Sequence, residues 1–366
     1  TIAEKNPLKR KTYSKVITLF NIIRIIKEHE DATVFINIRD RELSSALKEN
    51  INNNLFILKY KKLYSESIYF LYSIFNASKL FAKLIIRSLI CKIFLFNKRS
   101  SNNKISFTLV SSFTGTLRHG KKNPYFKVLI DEMKLNNTLF KHLYMLNTFN
   151  IAENVKDILF LKNSSDQIKF DAIDGYIGFF DIFLILKNYI SLSFKLFKIK
   201  ETLKNKFIFM DMNIYNLFIG DLYISFLGQT AIENLYQDIL FRNYFLKNNI
   251  DNKIIYPMEM QAWEKIMNSN KNISSDNIYS YGLQHVPIPS LMLNYFYSKP
   301  ELVEDDHLSS IPKPDLALLF SDYDLEVFKD MGWSQNRLIS YGSIRFQNLE
   351  DAKEISWTKK ENLISI

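Results

Sequence analysis

The chain has 366 residues, of which 47% are hydrophobic and 23% charged, a composition that excludes a disordered chain and exceeds one ordinary domain in length. One cysteine, Cys91, and five scattered histidines exclude a disulfide framework and leave no metal-ligand spacing. The formal charge of +10 favours an anionic partner, whether a phosphorylated substrate, an anionic membrane surface or nucleic acid, without choosing among them.

The chain opens at Thr1 without an initiator Met and closes just after a charged stretch, so it reads as part of a longer reading frame. Near its start, Arg24 interrupts the apolar run that begins at Val16, Lys27 ends it, and no small-residue cleavage site follows. This is not the pattern of a secretory signal. Residues 33–38 and 54–59 are short β-branched or aromatic runs on either side of a polar helical stretch, 39–50, which predicts β-α-β.

Residues 63–96 are strongly apolar, but the longest uncharged run, 67–78, is too short to span a bilayer. Lys79, Lys83 and Arg87 recur every four residues and predict a basic ridge on a helix, with Leu80, Leu84, Ile85 and Leu89 on its other faces. Such a helix suits either an anionic membrane surface or a core helix with one solvated face. A strand is expected at 105–112, a loop with Gly115 and Gly120, a helix at 125–135 and another strand at 157–161. Residues 179–199 repeat the apolar pattern, broken by Asp181, Lys187, Lys195 and Lys198, which predicts burial or interface and no crossing. Helix over 224–247 and strand over 253–256, ending in Pro257, follow.

Pro287, Pro289, Pro300, Pro312 and Pro314 cluster late in the chain and predict a crossing between domains. Beyond them, a strand at 315–320, a helix at 322–331 stopped by Gly332, and a strand at 337–341 repeat β-α-β. The expected fold is therefore α/β with two Rossmann-like domains. An N-terminal domain covers 1–286, a linker covers 287–314, and only the start of a truncated C-terminal domain covers 315–366.

The densest chemistry is Tyr256-Pro-Met-Glu-Met-Gln-Ala-Trp-Glu264, which follows a strand and leads into a helix. Ligands of α/β proteins gather at such strand ends. Glu259 there suits a general base or nucleophile, with Gln261 and Glu264 as further polar contacts and Trp263 as a pocket wall; alternatively Glu259 and Glu264 favour the positive end of the helix. One helix later, Gln284 and His285 end a strand beside a proline-fixed loop, where an imidazole can meet a phosphate or a developing charge. Asp221, between Gly220 and Gly228 in an apolar aromatic stretch, is either a carboxylate with a raised pKa or a helix N-cap. Gly342, Ser343 and Arg345 follow a strand and suit phosphate binding, or an ordinary turn. No GxxxxGK[ST], GxGxxG or GxSxG is present.

In order, Gly220-Asp221 with Ser225 and Gly228, Glu259-Met-Gln-Ala-Trp-Glu264, Gly282-Leu-Gln-His285, Pro314-Asp315 and Gly342-Ser-Ile-Arg345 resemble the bacterial surface-carbohydrate biosynthesis proteins. These are GT-B-type glycosyltransferases of O-antigen and capsule assembly, related to CMP-Kdo-type transferases. Members of that family usually carry Asn between the Glu and the Gln and Ser after the His, where this chain has Met260 and Val286. The resemblance implies transfer of a sugar, from a nucleotide donor such as a CMP-linked ulosonic acid, to a glycan or lipid-linked acceptor at the cytoplasmic face of the inner membrane. Glu259, Asp221 and His285 would be catalytic, with Gln261, Trp263, Glu264, Gln284, Gly342, Ser343 and Arg345 binding substrate or nucleotide. No metal or other cofactor is expected, because arginine, histidine and helix N-termini can neutralise the phosphate. A polyol-phosphate transferase of cell-wall synthesis and a non-catalytic scaffold are the other readings. Nucleic acid is not expected as a partner, because the basic residues are dispersed and no recognition motif is present.

Overall fold

The computed structural model describes residues 12–29, 34–51, 56–60, 64, 66–95, 106–113, 117–118, 123–146, 150–163, 169–247, 253–273, 278–288, 295, 297, 299–302 and 311–343. An N-terminal unit comes first: α1 (Thr12–Glu28), β1 (Val34–Ile38), α2 (Arg41–Asn50) and β2 (Phe56–Tyr60). As expected, β1 and β2 pair in parallel, Val34 opposite Phe56, but they form a two-stranded sheet of their own. Asp40 starts α2 by accepting the Leu43 N–H at 2.9 Å. Leu19, Ile23, Leu43 and Leu47 pack there with Met212 and Leu217 from much later in the chain, so this unit is pinned to the rest by apolar burial.

The 30-residue α3 (Glu66–Leu95) leads to the main sheet. Its members alternate with helices: β3 (Phe107–Ser112), α4 (Lys127–Leu135), β4 (Phe140–Met145), α5 (Ile151–Asn163) and β5 (Lys169–Ala172). A 3-10 turn at Ile173–Tyr176 then leads into α6 (Phe179–Lys206), a small hairpin of β6 (Ile208–Phe209) and β7 (Met212–Asn213), α7 (Tyr215–Leu227) and α8 (Gln229–Lys247). The remainder is β8 (Lys253–Met258), α9 (Ala262–Asn270), β9 (Tyr279–Gln284), the single turn α10 (Lys299–Leu302), β10 (Leu316–Leu319), α11 (Asp322–Asp330) and β11 (Leu338–Ser340).

Seven strands form one parallel sheet in the order β11-β10-β9-β8-β3-β4-β5. Consecutive residues of its strands face opposite layers. Val110, Ile254 and Leu319 enter one core with Tyr236, Phe241 and Tyr244 of α8, while Leu109, Ile255 and Leu283 enter another with Phe126 and Met133. Helices cover both faces, so the ends of the strands are the open part of the sheet. From β3 the chain winds outward to β5, then returns to place β8 on the other side of β3. This reversal makes the carboxyl ends of β3 and β8 a topological switch point, where doubly wound sheets open a crevice.

Several expectations are corrected. Residues 157–161 are helix inside α5, because Asn154, Asp157, Ile158 and Leu161 bury one face at helical spacing. Residues 315–341 do not begin a separate domain, since β10 pairs with β9, Leu316 opposite Tyr281, and extends the same sheet through β11. The late prolines therefore mark a crossing between neighbouring strands: a Cβ on Gly282 would lie 3.0 Å from the Pro314 ring, so the proline packs directly onto β9. The basic ridge on α3 is also broken, because Arg87 is buried, pairs with Asp174 at 2.6 Å and donates to the Leu146 carbonyl. Leu89, placed with the apolar residues, instead faces outward. Helix over 224–247 is borne out with a break at Gly228, which ends α7. Among the described residues no helix is long and apolar enough to cross a membrane.

Candidate functional site

The polar chemistry gathers where β8, β9 and β10 end, beside the switch point. Beyond Met258 the chain makes a hook, and the Glu264 carboxylate holds it from inside. Its oxygens accept the backbone N–H groups of Glu259 (2.9 Å), Met260 (3.1 Å) and Gln261 (3.0 Å). These donors start α9, where a carboxylate is favoured by both the unpaired amides and the helix dipole. Glu264 is 2% exposed, and burial pushes its carboxyl up to about 8 against those three hydrogen bonds. Within the hook Met260 has φ 56°, a left-handed conformation uncommon for a residue with a Cβ. Asparagine tolerates that conformation better than methionine does.

The hook presents Glu259 to His285, the first residue beyond β9. Glu259 Oε1 lies 2.9 Å from His285 Nε2, and the other carboxylate oxygen accepts from the Gln261 side-chain amide. The Glu259 side chain is 27% exposed and the His285 side chain 6%, so the carboxylate is the outer member and the imidazole backs it. Tyr125, from the segment between β3 and α4, sets its ring edge against His285 at 5.2 Å between centroids. Asn123 accepts the Tyr125 N–H at 2.9 Å and fixes that segment. From the other side Tyr295 donates to the Met258 carbonyl at 2.7 Å, anchoring the end of β8. Segments after three strands thus converge on one carboxylate–imidazole pair.

Several expected site residues have other tasks. Glu264 binds the backbone of the hook. Trp263 is buried against Tyr256, 5.7 Å between ring centroids, and belongs to the core, not to a pocket wall. Gln284 is buried and uses both ends of its amide, donating to the Val286 carbonyl at 3.2 Å and accepting the Phe320 N–H at 2.9 Å, which stitches β9 to the end of β10. Asp221 lies within α7, where its carboxylate accepts from Thr12 Oγ1 of α1 at 2.6 Å. It is not a helix N-cap. Gly342, at φ 85°, and Ser343 follow β11, separated from β8 by two strands of the same sheet. They lie along the same sheet edge, about 14 Å away at ordinary strand spacing, not across from Glu259 on a second domain. Arg345 lies outside the described residues.

Asn123, Tyr125 and Tyr295 were not singled out from sequence. The Asn-Pro pair at 123–124 is a turn signal just before a helix and could have marked the first two; Tyr295 has no comparable signal. Among the described residues no group of three or more His, Cys, Asp or Glu side chains is arranged to hold a metal ion. In comparisons with known proteins, no family model, no curated protein and no solved structure matches the chain.

Proposed function

We propose that the chain is a transferase of the glycosyltransferase type, in which Glu259 meets the acceptor and His285 holds Glu259. The observation that carries this reading is the 2.9 Å contact between these two side chains at the end of a parallel sheet, beside its switch point. Glu259 has one oxygen engaged by His285 and the other by Gln261, so its orientation is fixed before substrate arrives. In the reaction proposed, an acceptor hydroxyl gives its proton to Glu259 as its oxygen bonds to the anomeric carbon of the donor sugar. The bond from that carbon to the nucleotide phosphate breaks, and the phosphate leaves with the electron pair. His285 donates to the carboxylate and positions it.

A donor of the CMP-sugar class, lying along the strand ends from Glu259 toward Ser343, would place its phosphate near the turn that follows β11. The GT-B arrangement belongs to this proposal as well, with the sheet through β11 as one of its two halves. The acceptor is a glycan or a lipid-linked glycan, and the chemistry needs no metal. A polyol-phosphate transferase with His285 as base is less well supported, since His285 sits behind Glu259. The test is calorimetric titration of the full chain with CMP, UDP and CDP, followed by measurement of CMP release from CMP-sugars. Binding of CMP, with turnover lost in Glu259→Gln and lowered in His285→Ala while both variants keep their affinity for CMP, supports the reading. Well-folded protein that binds none of the three nucleotides refutes it in favour of a scaffold.

A further inference from the structure

The 28 residues of α6 bury only Ile185 and Leu196 completely, although the helix is rich in large apolar side chains. Phe179, Phe183, Leu186, Ile190, Phe194 and Phe197 follow one another at spacings of three or four residues and so form a single stripe. Each is between 38% and 69% exposed. At ordinary helical rise the stripe is about 27 Å long. It continues into the next hairpin, where Ile208, Phe209 and Met210 are also exposed. Contiguous apolar surface of this extent on a folded chain marks an interaction face.

The charges around the stripe decide what it meets. Lysines 187, 195, 198, 204 and 206 lie on α6, with Lys200 paired to Glu66 of α3, against two acids, Asp181 and Glu201. Asp181 is turned inward, bonding the Gly178 N–H and the Asn243 amide. A cavity of about 160 Å³ is lined by Asn76, Lys79, Leu80, Lys83 and Gln229. Its Gln229 lies two residues past Leu227, whose carbonyl accepts the Tyr189 hydroxyl of α6 at 2.5 Å. An apolar stripe with lysines along it, together with a lysine-lined cavity at the start of α8, the helix that follows Leu227, complements a bilayer surface, with acyl chains under the phenylalanines and lipid phosphates at the lysines. A second copy of the chain would instead bring the same lysines against it.

We propose that the α6 face is a membrane-docking surface selective for anionic lipid, with the cavity at Lys79 and Lys83 receiving a lipid phosphate. This goes beyond the catalytic reading and does not depend on it, and its test reads no turnover. The full chain is sedimented with vesicles of phosphatidylcholine alone or with about 30% phosphatidylglycerol, a fraction that gives a strongly negative surface. Binding to the anionic vesicles is expected at least about tenfold above the neutral ones, falling as salt rises. Phe183→Ser with Phe194→Ser should lower it by about tenfold or more, because two inserted side chains are lost. Lys79→Glu with Lys83→Glu should remove most of the preference for phosphatidylglycerol while melting temperature and circular dichroism stay unchanged. Protein that stays in the supernatant with anionic vesicles overturns the proposal, as does equal binding to both vesicle types or full binding by the phenylalanine variant. A dimer in sedimentation velocity that the phenylalanine variant dissociates also overturns it and assigns the face to self-association.

Discussion

His142 lies on a strand of the parallel sheet and His285 just past the end of another, and their surroundings differ completely. His142 lies within β4, fully buried, stacked on Tyr144 at 3.9 Å between ring centroids and 2.9 Å from Ser111 Oγ. Burial holds its pKa down at about 3, so it is neutral and structural. His285 lies one residue past the end of β9, where its partner is a partly exposed carboxylate. A parallel sheet covered on both faces leaves only its strand ends open, so position along a strand separates a packing histidine from one able to do chemistry. Variants at the two places should therefore fail in different ways, in binding or turnover at the strand end and in stability within the sheet.

The largest effect is expected at the strand end. Glu259→Gln keeps a hydrogen-bond acceptor for His285 but removes the proposed base, and should lower CMP release by about 100- to 10,000-fold with little change in melting temperature. Undiminished turnover in this variant would end the assignment of Glu259. Next comes the interior ion pair: Arg87→Met strands the buried Asp174 carboxylate and should cost about 3–5 kcal/mol in denaturant unfolding. A cost below about 1 kcal/mol, the range of exposed pairs, would show that Asp174 finds water or another donor.

The pH dependence sharpens the contrast. His142 has a folded pKa depressed to about 3 from an ordinary 6.5, so the unfolded chain binds more protons between those values. Its contribution is present above pH 6.5 and is lost as pH falls toward 3, with a ceiling of about 5 kcal/mol. His142→Gln should flatten that slope. Glu264 runs the other way: its folded pKa is raised from 4.5 to about 8, so its contribution is present below pH 4.5 and is lost as pH rises through about 8. Unfolding of His142→Gln and Glu264→Gln in urea at pH 4, 6 and 8 checks the signs, and a wild-type slope in His142→Gln would show that other groups govern acid unfolding.

The same division explains what could be read in the sequence. The strands β3, β8, β9, β10 and β11 were legible as apolar runs bounded by Pro, Gly or polar residues. By contrast β4 carries Lys141 and His142, satisfied by Asp171 of the neighbouring strand and Ser111 of β3, partners that no local window contains. A β-α-β repeat looks the same whether it opens a second domain or extends the first sheet, and only the pairing of β10 with β9 distinguishes them. The pair of Glu259 and His285 was legible because both end strands one helix apart. The task of Glu264 was not, since a carboxylate beside a helix start reads alike whether it faces substrate or backbone amides. Arg87 was misread because its spacing from Lys79 and Lys83 carries no sign of Asp174, which lies after β5.

The smallest predicted effect tests whether sheet interior and strand end are separable at all. Gly282 lies in β9, three residues before His285, and a Cβ there would meet Met258 Sδ at 3.0 Å and the Pro314 Cγ at 3.0 Å. The methionine side chain can swing aside, but the proline ring is held by the strand that follows it, since Asp315 both donates its N–H to the Ser280 carbonyl (3.0 Å) and accepts the Ser280 N–H (2.7 Å). Gly282→Ala should therefore cost about 1–2 kcal/mol through local overpacking, read as a lower melting temperature. CMP release should stay at its wild-type rate, because Gln284 pins the end of β9 to Phe320 independently of Gly282. If turnover falls with stability, a displacement of a few tenths of an ångström in the strand reaches the contact between Glu259 and His285. Position along the strand would then no longer separate structural residues from chemical ones, and the hook held by Glu264 would be only as rigid as the packing of β8 and β9 beneath it.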